Sequence, residues 1–279
     1  MDDSLKTDFF DRILIVLVIY KMKLSESPTY QSLTAALNYS KKSAALFIYN
    51  NSAGALELMT DECWRSSYYH DPSNSGVSKA YNDGFKKAKE LRKTWLLLVD
   101  QDTTFPIDIF EKYATAVASY PDHKLFSPVV KNASSVTSPF RLVMGRGVML
   151  SNVRSGPYSM GSNKFINSGL LVSTDLYFKC GGYDEHFPLD FSDLVFAERA
   201  QEFADEFVVI EATCNHSLSS FENSFEVAIN RFRHFTSASK AYGQLRGLSF
   251  ILFINRCLRS IKLSYRFKSL AFLKTIIQG

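Results

Sequence analysis

The chain has 279 residues and few cysteines: Cys63, Cys180, Cys214 and Cys257 lie far apart, with no CxxC and no regular spacing. That excludes a disulfide framework or a zinc framework and predicts reduced thiols in a cytosolic setting. No apolar run is long enough to cross a bilayer; the longest near the start, Ile13 to Tyr20, has eight residues, where about 20 are needed. Its acidic flank, MDDSLKTDFFDR, also lacks the basic start of a signal peptide. Acidic residues are missing from one whole region: from Arg231 onward there are ten Lys and Arg and no Asp or Glu. Because the chain as a whole is +4, residues 1–230 carry −6. An acidic body with a basic end predicts that the end is neutralised by the body or faces an anionic surface, and nothing in the pattern points to nucleic acid.

What is abundant is buried-strand sequence: 46% of residues are hydrophobic and 22% charged. The decisive stretch is Thr94 to Phe105, TWLLLVDQDTTF, in which five apolar residues, Trp95 to Val99, run straight into Asp100, Gln101 and Asp102. A short continuous apolar run reads as a strand covered on both faces. Two carboxylates one residue apart at its carboxyl end can share a hard divalent cation, at the sheet edge where open α/β sheets bind ligands.

Upstream, Ile13 to Tyr20 and Ala44 to Tyr49 read as parallel strands joined by a helix over Thr29 to Ser40. The turn Asn50 to Gly54 closes the second strand, Trp64 to His70 reads as a third, and a helix is predicted from Val77 after the Gly76 turn. Downstream, Pro106 is placed at the first position of a helix reaching Ser119, Leu125 to Val130 is a strand, and residues 131–164 read as a hairpin or loop without assigned chemistry. A strand over Ile166 to Ser173, a helix from Thr174 ended by Gly181 and Gly182, and a last strand over Phe207 to Ala212 complete the body.

The series VIYK (Val18 to Lys21), IYNNSA (Ile48 to Ala53), NSGVSKAYNDG (Asn74 to Gly84) and LLLVDQDT (Leu96 to Thr103) resembles the inverting nucleotide-sugar glycosyltransferases of family 2, over roughly residues 12–235. Within that family it is similar to the rhamnosyltransferase-like enzymes of bacterial O-antigen and capsule synthesis. The resemblance implies a GT-A-like α/β fold with an open, mostly parallel sheet flanked by helices. It divides the chain into a catalytic domain over 1–230 and a basic helical extension over 231–279. It also implies a nucleotide diphosphate sugar as donor, a divalent cation (Mn2+ or Mg2+), and a hydroxyl on a saccharide or lipid-linked saccharide as acceptor.

Residue by residue, the resemblance places Tyr20 against the base, Asn50 where the family often has a base-reading Asp, and Asp100 at the ribose. Asn74, Gly76 and Asn82 join the nucleotide side, while Asp102 and His216 fall at the metal. The segment Phe187 to Arg199 resembles the acceptor-side motif in which an acid six positions before an Arg is the catalytic base; that acid is Asp193. Inverting transfer needs such a base in any case, because the attacking hydroxyl must lose a proton. Asp190, three residues earlier, is the rival, either as base or as an N-cap sharing a helix face with Asp193.

Two other readings fit parts of the sequence. VDQDTT also satisfies the DxDxT pattern of haloacid-dehalogenase-like phosphatases, with Asp100 as nucleophile, but no later GDxxxD follows; the other is a catalytically silent carbohydrate- or partner-binding subunit. In the tail, Arg256, Arg259, Lys262 and Arg266 recur at helical spacing, with Phe250, Ile254, Leu258 and Ile261 on another face. This predicts a helix at an anionic membrane surface, hence a cytoplasmic protein peripheral at the inner face, or else a helix whose apolar stripe packs on the body. It also predicts that a chain ending near Gln244 keeps transfer to a soluble acceptor.

Overall fold

The computed structural model describes residues 9–133, 135–216 and 224–278. The sheet is built around the predicted central strand. β1 (Ile13–Ile19) leads through helix α1 (Pro28–Ser40) to β2 (Ala44–Asn50) and β3 (Trp64–His70). Helix α2 (Val77–Glu90) then returns the chain to β4 (Trp95–Asp100). These four strands are parallel, in the order β4-β1-β2-β3, and the register pairs Asp100 with Val18. β4 is sealed on both faces: Leu97 and Val99 lie in one core, Leu96 and Leu98 in the other. Double coverage is why its sequence is continuously apolar rather than alternating.

The second half of the sheet departs from the parallel default. Two-residue β5 (Thr103–Thr104) precedes helix α3 (Ile109–Ser119), so the helix starts three residues later than the proline suggests, with Asp108 at its N-cap. β6 (Leu125–Asn132) carries the antiparallel β7 (Ser135–Ser138). Residues 140–164 are strands rather than loop: β8 (Phe140–Val143), β9 (Arg146–Met149) and β11 (Asn163–Lys164) form a separate small sheet. Between them, β10 (Gly156–Ser159) joins the main sheet. β12 (Leu170–Ser173) is shorter than predicted and runs antiparallel between β4 and β6, ahead of helix α4 (Thr174–Lys179). Helix α5 (Ser192–Ala200) follows, and β13 (Glu206–His216) lies parallel to β6 and ends on β5. The four cysteines are free.

Three helices follow: α6 (Phe225–Arg246), α7 (Ser249–Phe267) and α8 (Ala271–Gln278). Residue 230 falls inside α6. Leu252 of α7 is buried with Phe187, Leu194, Val195 and Tyr242, so the tail shares a core with the segment that carries Asp193. A cut near Gln244 would remove that packing. The apolar stripe of α7 does not pack on the body: Phe250, Ile254, Leu258, Ile261 and Tyr265 are 42–89% exposed. Arg256, placed by sequence on the cationic face, is instead buried, with its guanidinium 3.5 Å from Ser239 Oγ of α6. No described helix is long and apolar enough to cross a membrane.

Two glycines fix how α2 sits. A Cβ at Gly84 would lie 2.6 Å from a methyl of Val16, so the glycine lets α2 press onto β1. Gly76, at φ +96°, caps α2, and a Cβ there would lie 2.3 Å from the Pro188 carbonyl oxygen that accepts from Val77 N at 2.7 Å. Gly76→Ala is therefore expected to cost roughly 2 kcal/mol or more in urea unfolding. Gly54→Ala, where a Cβ meets nothing within 4 Å, is expected to be close to neutral.

Candidate functional site

The carboxyl end of β4 is held by a side-chain latch. Gln101 accepts from Tyr20 N at 2.7 Å through Oε1 and donates to Tyr20 O at 3.1 Å through Nε2, pinning the end of β1 to the end of β4. Thr29 of α1 accepts from Thr103 N and donates to Thr103 O, both at 2.9 Å. Ser27 donates to Gln101 O at 2.6 Å while accepting from Tyr30 N, so the cap that starts α1 also shapes the DQD turn. Tyr20 itself stays partly exposed at this edge, with Lys21 Nζ 5.1 Å above its ring.

Asp100 accepts from the hydroxyl of the buried Tyr81 at 2.9 Å. Asp102 lies one residue beyond Gln101, and its carboxyl is pushed up by burial and by Asp100, against the lowering effect of His216. His216 reaches it because the antiparallel register pairs His216 with Thr103; Nδ1 lies 3.4 Å from Asp102 Oδ1 and 2.8 Å from Thr103 Oγ1. Among the described residues no group of three or more His, Cys, Asp or Glu is gathered to hold a metal. The pair fits a divalent cation that takes its other ligands from a diphosphate and water: one carboxylate, one imidazole, and a buried negative charge that a cation would stabilise.

The predicted nucleotide residues separate into two kinds. Asn50 is fully buried and its amide is spent inside the protein: Nδ2 donates to Gly54 O and Tyr68 Oη, and Oδ1 accepts from Ser52 N. Its neighbour Asn51 buries Oδ1 with no protein partner, so at this edge Asn51 retains hydrogen-bonding capacity where Asn50 does not. Asn82 donates to Tyr183 O and Glu185 Oε1 and accepts from Tyr183 N and Tyr177 Oη. That ties α2 to the 183–185 loop and leaves no donor or acceptor over. Gly76 packs on Pro188 rather than on an open cleft, and Asn74, exposed at φ +54°, turns the chain after Asp71. Burial works against the Asp71 carboxylate, yet the hydrogen bonds of Ser73 and Ser75 hold it well below its usual range.

Asp193 stands in the first turn of α5 and Asp190 before the helix, so the two do not share a helical face. Asp190 is clamped by Arg231, with both guanidinium contacts at 3.0 Å. The N-cap position belongs to Phe191, held in the left-handed region at φ +66° and stacked on Tyr242. Burial pushes the Asp193 carboxyl up to about 7, helped by the charges of Asp100 and Asp190 and opposed by Leu194 N, which donates to Oδ1 at 2.9 Å. Arg199, the motif's reference point, binds Asp184 Oδ2 at 2.7 Å and so fixes the loop ahead of Asp193. A cavity of about 380 Å³ opens beside Asp193, walled by Phe140, Ile166, Phe191, Phe235 and Arg259.

Sequence reasoning missed Gln101 and Tyr81 as positioning groups. It also missed the buried relay in which Tyr183 donates to Asn167, and Asn167 to Ser192 beside Asp193. Glutamine inside the metal motif was the available signal for the first; nothing in local spacing announces the others.

The raised pKa of Asp193 has a stability consequence. Between about pH 4 and 7 the native chain holds a proton that the unfolded chain has lost, so this group makes stability fall as pH rises through that window and stay lower above it. Asp193→Asn is expected to melt at or above the native temperature at pH 8, with the difference shrinking toward pH 4. Differential scanning across that range checks the sign.

A search of curated protein sequences finds no match. Among solved structures, S. aureus TarS residues 1–349 superposes with a TM-score of 0.54 at 15% identity, covering 95% of this chain and 81% of that one. The same fragment in complex with UDP-GlcNAc gives 0.53 at 14% identity, covering 82% and 66%. GalNAc-T7 with UDP, GalNAc and Mn2+ gives 0.55 at 12%, covering 80% and 47%. Against a longer TarS structure the chain spans 40% of its length. At these identities the likeness is one of fold, and the curled open sheet flanked by helices is the expected GT-A arrangement. The profile of Glycosyl transferase family 2 matches residues 15–167, more than half of the sequence, and on that match the chain belongs to glycosyltransferase family 2.

Proposed function

We propose that this chain transfers a sugar from a nucleotide diphosphate donor to a hydroxyl of a saccharide acceptor, with inversion at the anomeric carbon. The observation that carries the reading is the position of Asp193: its carboxyl feels the charge of Asp100 on the DQD strand on one side and lines the aromatic cavity on the other. A base between donor edge and acceptor cavity, with a pKa near neutrality, suits proton removal from an attacking hydroxyl. Asp193 takes that proton as the new bond to the anomeric carbon forms and the bond to the departing diphosphate breaks. Tyr20 packs against the base, and Asp100 holds the ribose. Asp102 and His216 hold the divalent cation, Mn2+ or Mg2+, which when bound neutralises charge on the departing nucleotide diphosphate.

The DQD motif favours the rhamnosyltransferase-like branch of the family, so dTDP-rhamnose heads the donor panel; UDP-GlcNAc, bound in a TarS structure, is second. Asp102→Asn is expected to lose the metal-dependent part of donor binding and nearly all transfer. Asp193→Asn is expected to keep donor affinity and lose about 10² or more in kcat. Full transfer by either variant at saturating metal removes that residue from the chemistry.

A lipid-linked acceptor fits the outer surface of α7. Its exposed apolar stripe from Phe250 to Tyr265 is flanked by exposed Lys262, Arg266 and Lys268. That is the charge and shape of a helix lying in the headgroup region of an anionic membrane, at the inner face of the cytoplasmic membrane. At about 1 kcal/mol per cation, three supply about a hundredfold in affinity, enough for reversible binding. The full chain is expected to sediment with phosphatidylglycerol-containing vesicles at low salt and to be released at high salt, and Leu258→Glu/Ile261→Glu to remain in the supernatant. Equal sedimentation of both rules out this surface.

A further inference from the structure

The cavity beside Asp193 is closed partly by the small sheet, within the matched residues 15–167, and partly by the C-terminal helices beyond them. Phe140 and Met149 come from the small sheet, Phe235 from α6 and Arg259 from α7. The small sheet and α7 meet directly: a Cβ on Gly145, at the β8–β9 turn, would lie 3.0 Å from Leu252 Cδ2. Arg259 is not a surface cation waving in solvent. Its guanidinium carbon sits 4.2 Å from the centroid of the Phe235 ring, and Phe235 in turn stacks on Phe191 at 5.9 Å and 27°. Phe191 precedes Asp193 by two residues, so one aromatic layer runs from the arginine to the neighbourhood of the base.

Other tail residues are tied to the body. Arg231 clamps Asp190, Arg246 contacts Glu198 Oε2 at 2.7 Å, and Tyr242 donates to Glu198 Oε1 at 2.6 Å. Arg259 alone among these cations lines the cavity. A guanidinium laid flat on an aromatic ring loses little conformational freedom on binding and presents a fixed set of donors. Ring faces beside fixed donors and a carboxylate suit a sugar ring, whose C–H face packs on aromatics while its hydroxyls take the hydrogen bonds.

We propose that Arg259 and Phe235 of the C-terminal helices bind the acceptor saccharide and determine which acceptor is used. This rests on the glycosyltransferase reading only in treating the cavity as the acceptor side. Acceptor choice is then set by the tail, while donor chemistry stays in the half of the sheet that the family profile matches.

The test uses the full chain, Arg259→Gln and Phe235→Leu, with saturation-transfer NMR to methyl glycosides of glucose, galactose, N-acetylglucosamine and rhamnose. Thermal stabilisation by UDP and dTDP with Mn2+ is read on the same samples. At least one glycoside is expected to receive saturation on its ring protons, to bind about tenfold more weakly to Arg259→Gln and more weakly to Phe235→Leu, while nucleotide stabilisation persists in both. Binding unchanged in Arg259→Gln, no glycoside bound by the native chain, or joint loss of glycoside and nucleotide binding in both variants overturns the proposal. If Arg259→Gln does not fold, Phe235→Leu decides by the same criterion. Glycoside binding that follows this pattern without any nucleotide stabilisation in the native chain overturns the donor reading and leaves the saccharide site standing.

Discussion

The side chain of Gln101 is the constraint on which the donor edge depends. Parallel strands leave their carboxyl ends splayed, with no hairpin to join them. Here β1 and β4 are joined at that end by one amide that satisfies both the N–H and the C=O of Tyr20. Two such bonds contribute about 1–3 kcal/mol together, but their geometric effect is larger than their energy. They fix the turn whose neighbours are Asp100 and Asp102, and the α1 cap at Ser27 and Thr29 braces the same turn from the other side. Tyr20 and the two carboxylates are thus one rigid unit.

The charge asymmetry of the sequence also resolves into specific contacts. The tail's Arg231 and Arg246 pair with Asp190 and Glu198 of the body, and Arg256 is buried between helices. Part of the basic excess faces outward, at Arg233, Lys262, Arg266, Lys268 and Lys274. Neutralisation by the body and outward exposure are therefore not alternatives but a division among residues of the same helices.

The first half of the fold was legible because its signals are local. Apolar runs ending in turn residues gave β1, β2 and β4 nearly to the residue, and Ser27-Pro28 and Gly76 mark real helix starts. The second half was less so. The small sheet is made of strands of four, four and two residues, too short to carry a readable period, and the reversal of β12 is set by packing between β4 and β6 rather than by its own sequence. At the site, His216 lies beside Asp102, and Asp193 stands within range of the charge of Asp100. Asn50 and Asn82 read as ligand contacts in a linear motif, but the bonds their amides make are to Tyr68, Gly54, Tyr177 and Tyr183. A sequence gives the amide and cannot show which way it faces. Arg256 was misplaced for the reverse reason: helical spacing gives the angle around the axis, but the partner helix decides which angle is inside.

Helix α5 is short, nine residues, and it is held at both ends. At its start, Phe191 is wedged against Tyr242 and Phe235; near its end, Glu198 is gripped by Tyr242 and Arg246, and Arg199 is tied to Asp184. A rod fixed at two points can neither tilt nor slide. The Asp193 carboxylate is therefore part of a rigid mount whose far anchor is helix α6, and a force applied to that helix is transmitted to the carboxylate rather than absorbed before it.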